Sequence, residues 1–126
     1  RDACEKEAES LLNKLYGYQN GTVLFKPTKA KDNQFRLTFE GAKSYFIGEN
    51  SDFSEDKGFA LQPWTNVRFE NASVILNDNT ATAMGNYFFT QTNGIVVKVE
   101  YTFGYFLNEK NDLKINVHHS SLPYVS

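Results

Sequence analysis

The run Val117-His118-His119-Ser120-Ser121 gathers the two histidines of the chain and a pair of hydroxyls into one short stretch. Imidazole can ligate a metal or move a proton near neutral pH, and a hydroxyl both donates and accepts hydrogen bonds. The run reads as the end of a strand, where neighbouring side chains point to opposite faces. His118 and His119 therefore cannot share one ion unless a bulge intervenes. No further His, Asp or Glu spacing completes a three-ligand set, and a single cysteine, Cys4, excludes a Cys-rich zinc site. Leu113, Ile115 and Val117 share a parity with His119 and Ser121, whereas Lys114 and Asn116 share the other with His118 and Ser120. The apolar set should face inward, so His119 and Ser121 are the expected pocket residues. A bulge would reverse the assignment and bring in His118 and Ser120.

Elsewhere the chemistry-bearing residues are ambiguous on pattern alone. Thr28 follows Pro27 and can be a turn residue. Tyr45 fits a core aromatic with its hydroxyl at the edge. Tyr101, Phe103 and Tyr105 share one strand face, as core or cavity wall, and Phe59, Leu61 and Trp64 close the core around a loop. Glu49, Asp52, Glu55 and Asp56 read as a solvated acidic loop whose spacing matches no EF-hand. Glu70 and Glu100 are the strand carboxylates that a proton-transferring pocket would need, and both parities look outward.

These residues need elements to hold them. Residues 2–16 read as an amphipathic helix, with Cys4, Ala8, Leu11, Leu12 and Leu15 in one stripe, Asp2 as N-cap and Gly17 as its end. Thr22–Phe25 is a short β-type run, and Phe35, Leu37 and Phe39 alternate as a second. Gly41–Ile47 suits a short helix or turn, and Gly48–Gly58 a loop long enough to be a lid. Strands are predicted over Asn66–Leu76, Thr80–Gln91, Ile95–Leu107 and Leu113–Ser121, with tight turns at Asn77-Asp78-Asn79, Asn93-Gly94 and Glu109–Asp112. A leading helix on a long antiparallel meander is an α+β arrangement, and strands of this length curl into a cone.

The chain has 126 residues, 15% of them aromatic, with eleven Phe and seven Tyr, which suits one domain (1–126) built on strands around a lined cavity. A net charge of −2 with scattered basic residues argues against a nucleic-acid partner. No apolar run reaches the roughly 20 residues of a membrane helix, so no membrane insertion is expected. The chain opens on Arg1, and a targeting peptide or neighbouring domain would lie outside it.

Tyr101-Thr102-Phe103-Gly104-Tyr105-Phe106 and the His-His-Ser-Ser run resemble the closing strand pair of the calmodulin-dependent kinase association domain and its NTF2-like relatives. Leu24-Phe25-Lys26-Pro27-Thr28, Ser44-Tyr45-Phe46-Ile47-Gly48 and the stretch Asp56 to Trp64 narrow the resemblance to the iota-class carbonic anhydrases, over nearly the whole chain. That resemblance implies an NTF2-like cone that interconverts CO2 and bicarbonate. It implies a metal-free site using Thr28, Tyr45 and a serine, Ser120 or Ser121; the residue pattern adds His118, His119, Phe103 and Tyr105 as the expected surroundings of the substrate. Some family members are described as metal-dependent, with zinc or manganese; some members also carry a longer His run before the serines, where this chain has Val117, which argues against a His-cluster metal site. A homodimer, and a chloroplast, periplasmic or secreted location, are likewise implied by the resemblance. The competing readings are a non-catalytic NTF2-like oligomerisation or ligand-binding module and a ketosteroid-isomerase-like proton transferase. If hydroxyls act without metal, the proton must go to a Tyr45 of lowered pKa or to a histidine, and the residues do not choose between them.

Overall fold

The structure is a computed structural model that describes residues 2–59 and 64–125. Helix α1 (Asp2–Leu15) leads into the short strand β1 (Leu24–Lys26), helix α2 (Phe39–Ile47) and a 3-10 turn at Ser51–Phe53. Four long strands follow, β2 (Trp64–Asn77), β3 (Thr80–Gln91), β4 (Val96–Leu107) and β5 (Leu113–Ser121). The sheet order is β1-β5-β4-β3-β2, antiparallel except for β1, which pairs parallel to β5. This is the expected α+β cone, with the predicted β3 and β5 matched residue for residue and β2 and β4 within two residues at their ends.

Alternation sorts the sheet. Ala83, Tyr87 and Phe89 of β3 and Val99, Tyr101 and Phe103 of β4 are buried on one face, where Leu12 and Tyr16 from the helical layer and Ala42 and Tyr45 of α2 meet them. α1 ends one residue earlier than expected, and its chain then hydrogen-bonds onto β5. Tyr16 forms a parallel bridge with Ile115, and the Gly17 N–H donates to the Ile115 carbonyl at 2.9 Å. Gly17 is required by close approach, since a Cβ there would lie 2.6 Å from the Phe106 ring. Leu11 and Leu15 of the predicted stripe are exposed, because they border a cavity instead of the packed core. The side chains of Asp2 and Cys4, and residues 60–63 with Leu61, lie outside the described set.

Two expectations are corrected. Phe35–Phe39 is not a strand. Phe35 and Leu37 are exposed, Thr38 caps α2 by accepting from the Gly41 N–H at 3.2 Å, and the residue turned inward is Arg36, 1% exposed. The acidic stretch is solvated only in part: Glu49 and Asp52 are exposed, whereas Glu55 and Asp56 are engaged. Asp56 binds both terminal nitrogens of Arg36 at 2.7 Å. Glu55 accepts the backbone N–H groups of Lys31 and Asn33 at 2.7 Å each. Those backbone bonds, led by Asn33, hold its carboxyl below the usual range. Arg36 also donates to the Gly41 and Asn33 carbonyls, and Ser44 donates to Asp56, so the loop is pinned to α2.

Candidate active site

The ladder between β4 and β5 sets which face the His-Ser run presents. Leu113, Lys114 and Ile115 oppose Leu107, Phe106 and Tyr105, but Gly104 then opposes Val117, leaving Asn116 as an extra residue. That bulge reverses the parity of everything after it. His118 and Ser120 are buried at 6% and 1%, and the expectation that His119 and Ser121 face the pocket is overturned. Those two border a hollow on the opposite face, with Glu100 and Thr102. Gly104 accommodates the bulge: a Cβ there would sit 2.9 Å from Val117 Cβ.

A cavity of about 510 Å³ lies between the helices and the sheet, and Thr28, Tyr45, Ser120, His118, Phe103 and Tyr105 all border it. Thus five expected side chains join Ser120 there, from four separate stretches of chain. β1 delivers Thr28 through buried Pro27, and α2 delivers Tyr45. Lys26 ties the first stretch to β5, its ammonium donating to the Ser120 carbonyl at 3.0 Å and the Pro27 carbonyl at 3.3 Å. Phe103 and Phe25 clamp the His118 ring, with centroids 4.2 and 4.8 Å away. Phe59 stacks on Tyr45 at 5.5 Å and Trp64 packs tilted against Phe59 at 5.4 Å, closing the side as expected. The guanidinium of Arg36 lies 5.9 Å from the Tyr45 ring centre and fixes that face of α2.

Two tyrosines missed in the sequence complete the polar end. Tyr16 Oη lies 2.7 Å from His118 Nδ1. Tyr87 Oη bonds Ser120 Oγ and lies 3.3 Å from His118 Nε2, which is itself 2.9 Å from Ser120 Oγ. Thr28 borders the cavity with Tyr45 and Tyr87 and acts to lower the pKa of both, and the Lys29 N–H donates to Tyr45 Oη at 3.2 Å. Tyr16 Oη has no other hydrogen-bond partner among the described residues, which assigns its proton to Nδ1; in that tautomer Nε2 carries the hydrogen and faces Ser120 Oγ. Only cross-strand pairing could have revealed these partners: Phe25 opposes His118, and Tyr87 lies two strands away.

Burial sets the charge state. It pushes the His118 pKa down to about 3, helped by His119, so the ring is neutral. Burial also raises Tyr16, Tyr45 and Tyr87, with the hydrogen bonds from Lys29 and Thr28 only partly offsetting it at Tyr45. The site is a set of neutral hydroxyls around a neutral imidazole, in an apolar cup. Burial thus opposes both a tyrosinate at Tyr45 and a protonated His118. Among the described residues no three His, Cys, Asp or Glu side chains gather to hold a metal ion. No carboxylate is among the described cavity residues, and Glu70 instead pairs with Arg68 at 2.9 Å on the surface. That removes the basis for an isomerase-like reading.

Comparison with known proteins agrees with this geometry. The crystal structure of an iota-carbonic anhydrase from a cyanobacterium, complexed with bicarbonate, superposes with a TM-score of 0.95 at 43% identity, over 99% of this chain and 77% of that one. An NTF2-like superfamily protein from Salmonella enterica superposes at 0.58 with 12% identity, over 97% of this chain and 82% of that one, which shows the fold alone. A metal-independent carbonic anhydrase of Nostoc sp. strain PCC 7120 is 46% identical over 118 residues, 93% of this chain. The chain spans 58% of that relative's length. The sequence model of the family described as metal-independent carbonic anhydrase matches residues 1–122, and by that match the chain belongs to the metal-independent carbonic anhydrase family.

Proposed function

We propose that this chain hydrates CO2 reversibly to bicarbonate, without a metal, at the polar end of the cavity. The observation that carries the reading is the convergence of Thr28, Tyr45, Ser120 and Tyr87 hydroxyls at one end of an otherwise apolar hollow. CO2 is apolar and suits the aromatic wall of Phe103 and Tyr105, and the hydroxyls orient a water against its carbon. No strong base is needed if proton transfer is concerted. The attacking water gives a proton to a hydroxyl oxygen while that hydroxyl gives its own to a CO2 oxygen. The C–O bond forms, carbonic acid leaves the site neutral, and it ionises in solvent. Tyr45 suits the transfer, since its oxygen already accepts from Lys29 and its own proton is available. Ser120, polarised by the His118 Nε2–H, orients the water through the pair it makes with Tyr87. His118 acts by position. His119 and Ser121, on the other face, have no part in this reading. The expected homodimer would use that outer face, where Ile75 and Met84 are exposed.

Stopped-flow CO2 hydration on chelator-treated protein tests the assignment. Tyr45→Phe and Ser120→Ala should each lower kcat/KM by about 10²–10³-fold, the usual cost of one positioned donor in a transition state. Unchanged rates in folded variants would remove these residues from the mechanism. Absence of hydration in the wild type would leave the non-catalytic binding module.

A further inference from the structure

The cavity is far larger than the reaction requires. An apolar cavity of about 150 Å³ accepts benzene, and a small molecule such as water occupies roughly 30 Å³. The cavity measures about 510 Å³, so CO2 and a water at the hydroxyl end leave most of it unfilled. The surplus is bordered by Leu11 and Leu15 of α1 and Val67 and Phe69 of β2, all apolar and each more than 40% exposed, so it opens to solvent there. Trp64 and Phe59 form its inner wall.

The lining has no balancing charge. None of the described cavity residues is Lys, Arg, Asp or Glu. Of the ammonium groups near the wall, that of Lys26 is engaged by the Ser120 and Pro27 carbonyls, and that of Lys29 lies 5.8 Å from the centre of the Phe59 ring, outside the lining set. The imidazole is buried between the Phe25 and Phe103 rings with no carboxylate among the described lining residues, which disfavours a cation. A large organic anion would lose its hydration here with no ion to replace it, whereas a neutral hydroxyl could join the Tyr87–Ser120 chain as both donor and acceptor.

We propose that this surplus volume is a binding site for a neutral apolar molecule bearing a single hydroxyl, on the order of ten heavy atoms in size. The apolar body lies between α1 and β2, and the hydroxyl reaches Ser120 and Tyr87. Because its hydroxyl enters the hydroxyl end, where the reading above places CO2 and its water, its occupation competes with hydration; this second part rests on that reading.

The test uses 3-phenyl-1-propanol as probe and 3-phenylpropanoate as its anionic counterpart. Trp64 is the only tryptophan, so its selectively excited fluorescence reports binding without any need for activity. The alcohol should give a saturable change and bind at least about tenfold tighter than the carboxylate, which must bury its charge unpaired. It should raise the apparent KM for CO2 and leave kcat unchanged. Val67→Phe and Leu15→Phe, which narrow the mouth from two different elements, should each weaken alcohol binding about fivefold or more. A fluorescence signal that does not saturate, a carboxylate that binds as tightly, or wild-type affinity in both folded variants would overturn the site. Binding that leaves KM unchanged would overturn the competition. A chain that binds the alcohol yet hydrates no CO2 would uphold the site and defeat the hydration reading instead.

Discussion

Deleting Asn116 should leave the site intact, although a one-residue deletion inside a strand ordinarily moves every later side chain to the wrong face. The register explains why. Without Asn116, Leu113, Lys114 and Ile115 still oppose Leu107, Phe106 and Tyr105. Val117 then continues directly opposite Gly104, and His118, His119 and Ser120 keep Phe103, Thr102 and Tyr101. The ladder becomes regular with the polar run unmoved. Asn116 is only half-buried, so its loss should fall within the ordinary range for a substitution, about 0.5–3 kcal/mol. The alternative is costly. If the parity argument were wrong, deletion would turn His118 and Ser120 outward. Tyr16 and Tyr87 would then lose their buried partners at about 1–3 kcal/mol each, and the hydroxyl cluster would lose its serine. Urea unfolding followed by circular dichroism, with CO2 hydration on the same sample, separates the two. Retained activity within about tenfold and a modest stability loss are expected. A folded deletion variant with no activity, or a loss above about 4 kcal/mol, would refute the register argument.

Tyr16→Phe should cost about 1–3 kcal/mol in urea unfolding, because it strands the buried Nδ1 of His118. Nitrogen NMR of the imidazole should then show the tautomers mixing, where the wild type holds Nε2–H. Asp56→Ala should cost about 3–5 kcal/mol, since it leaves the fully buried Arg36 without its carboxylate. A loss under about 1 kcal/mol would mean that Glu55 or water takes over. The depressed His118 pKa makes the folded state reject a proton that the unfolded chain accepts below about pH 6.5. Stability present above that pH is lost as pH falls towards 3, at up to about 1.4 kcal/mol per unit. Unfolding midpoints of wild type and His118→Gln measured across this window should converge at the acid end.

Much of the fold was legible because it rests on local periodicity. The helix stripe, the period-2 runs and the turns at Asp78, Gly94 and Asn111, all with positive φ, mark α1 and the four long strands. The hydroxyl residues were legible only through resemblance, since Thr28 and Tyr45 have nothing in their own segments to distinguish them from a turn residue and a core ring. The facing of the His-Ser run was misjudged for a physical reason. A bulge is a property of two strands, and parity counted along one strand does not contain it. Gly104, a glycine inside an aromatic strand, was the available signal. Arg36 was hidden for a similar reason. Its neighbours Phe35 and Leu37 alternate as a strand should, but the carboxylate that draws Arg36 inward lies twenty residues away.

At the centre of the proposed reaction, neutral hydroxyls hydrate CO2 without metal and without a titrating base. Loss of ¹⁸O from labelled CO2, followed by mass spectrometry on chelator-treated protein, measures this directly. The account predicts catalysed exchange whose rate per unit of dissolved CO2 is flat from about pH 5.5 to 9, because no hydroxyl or imidazole at the site changes charge there. Exchange no faster than buffer, or a rate that climbs through about pH 6.5 as an unperturbed imidazole base would produce, would contradict it.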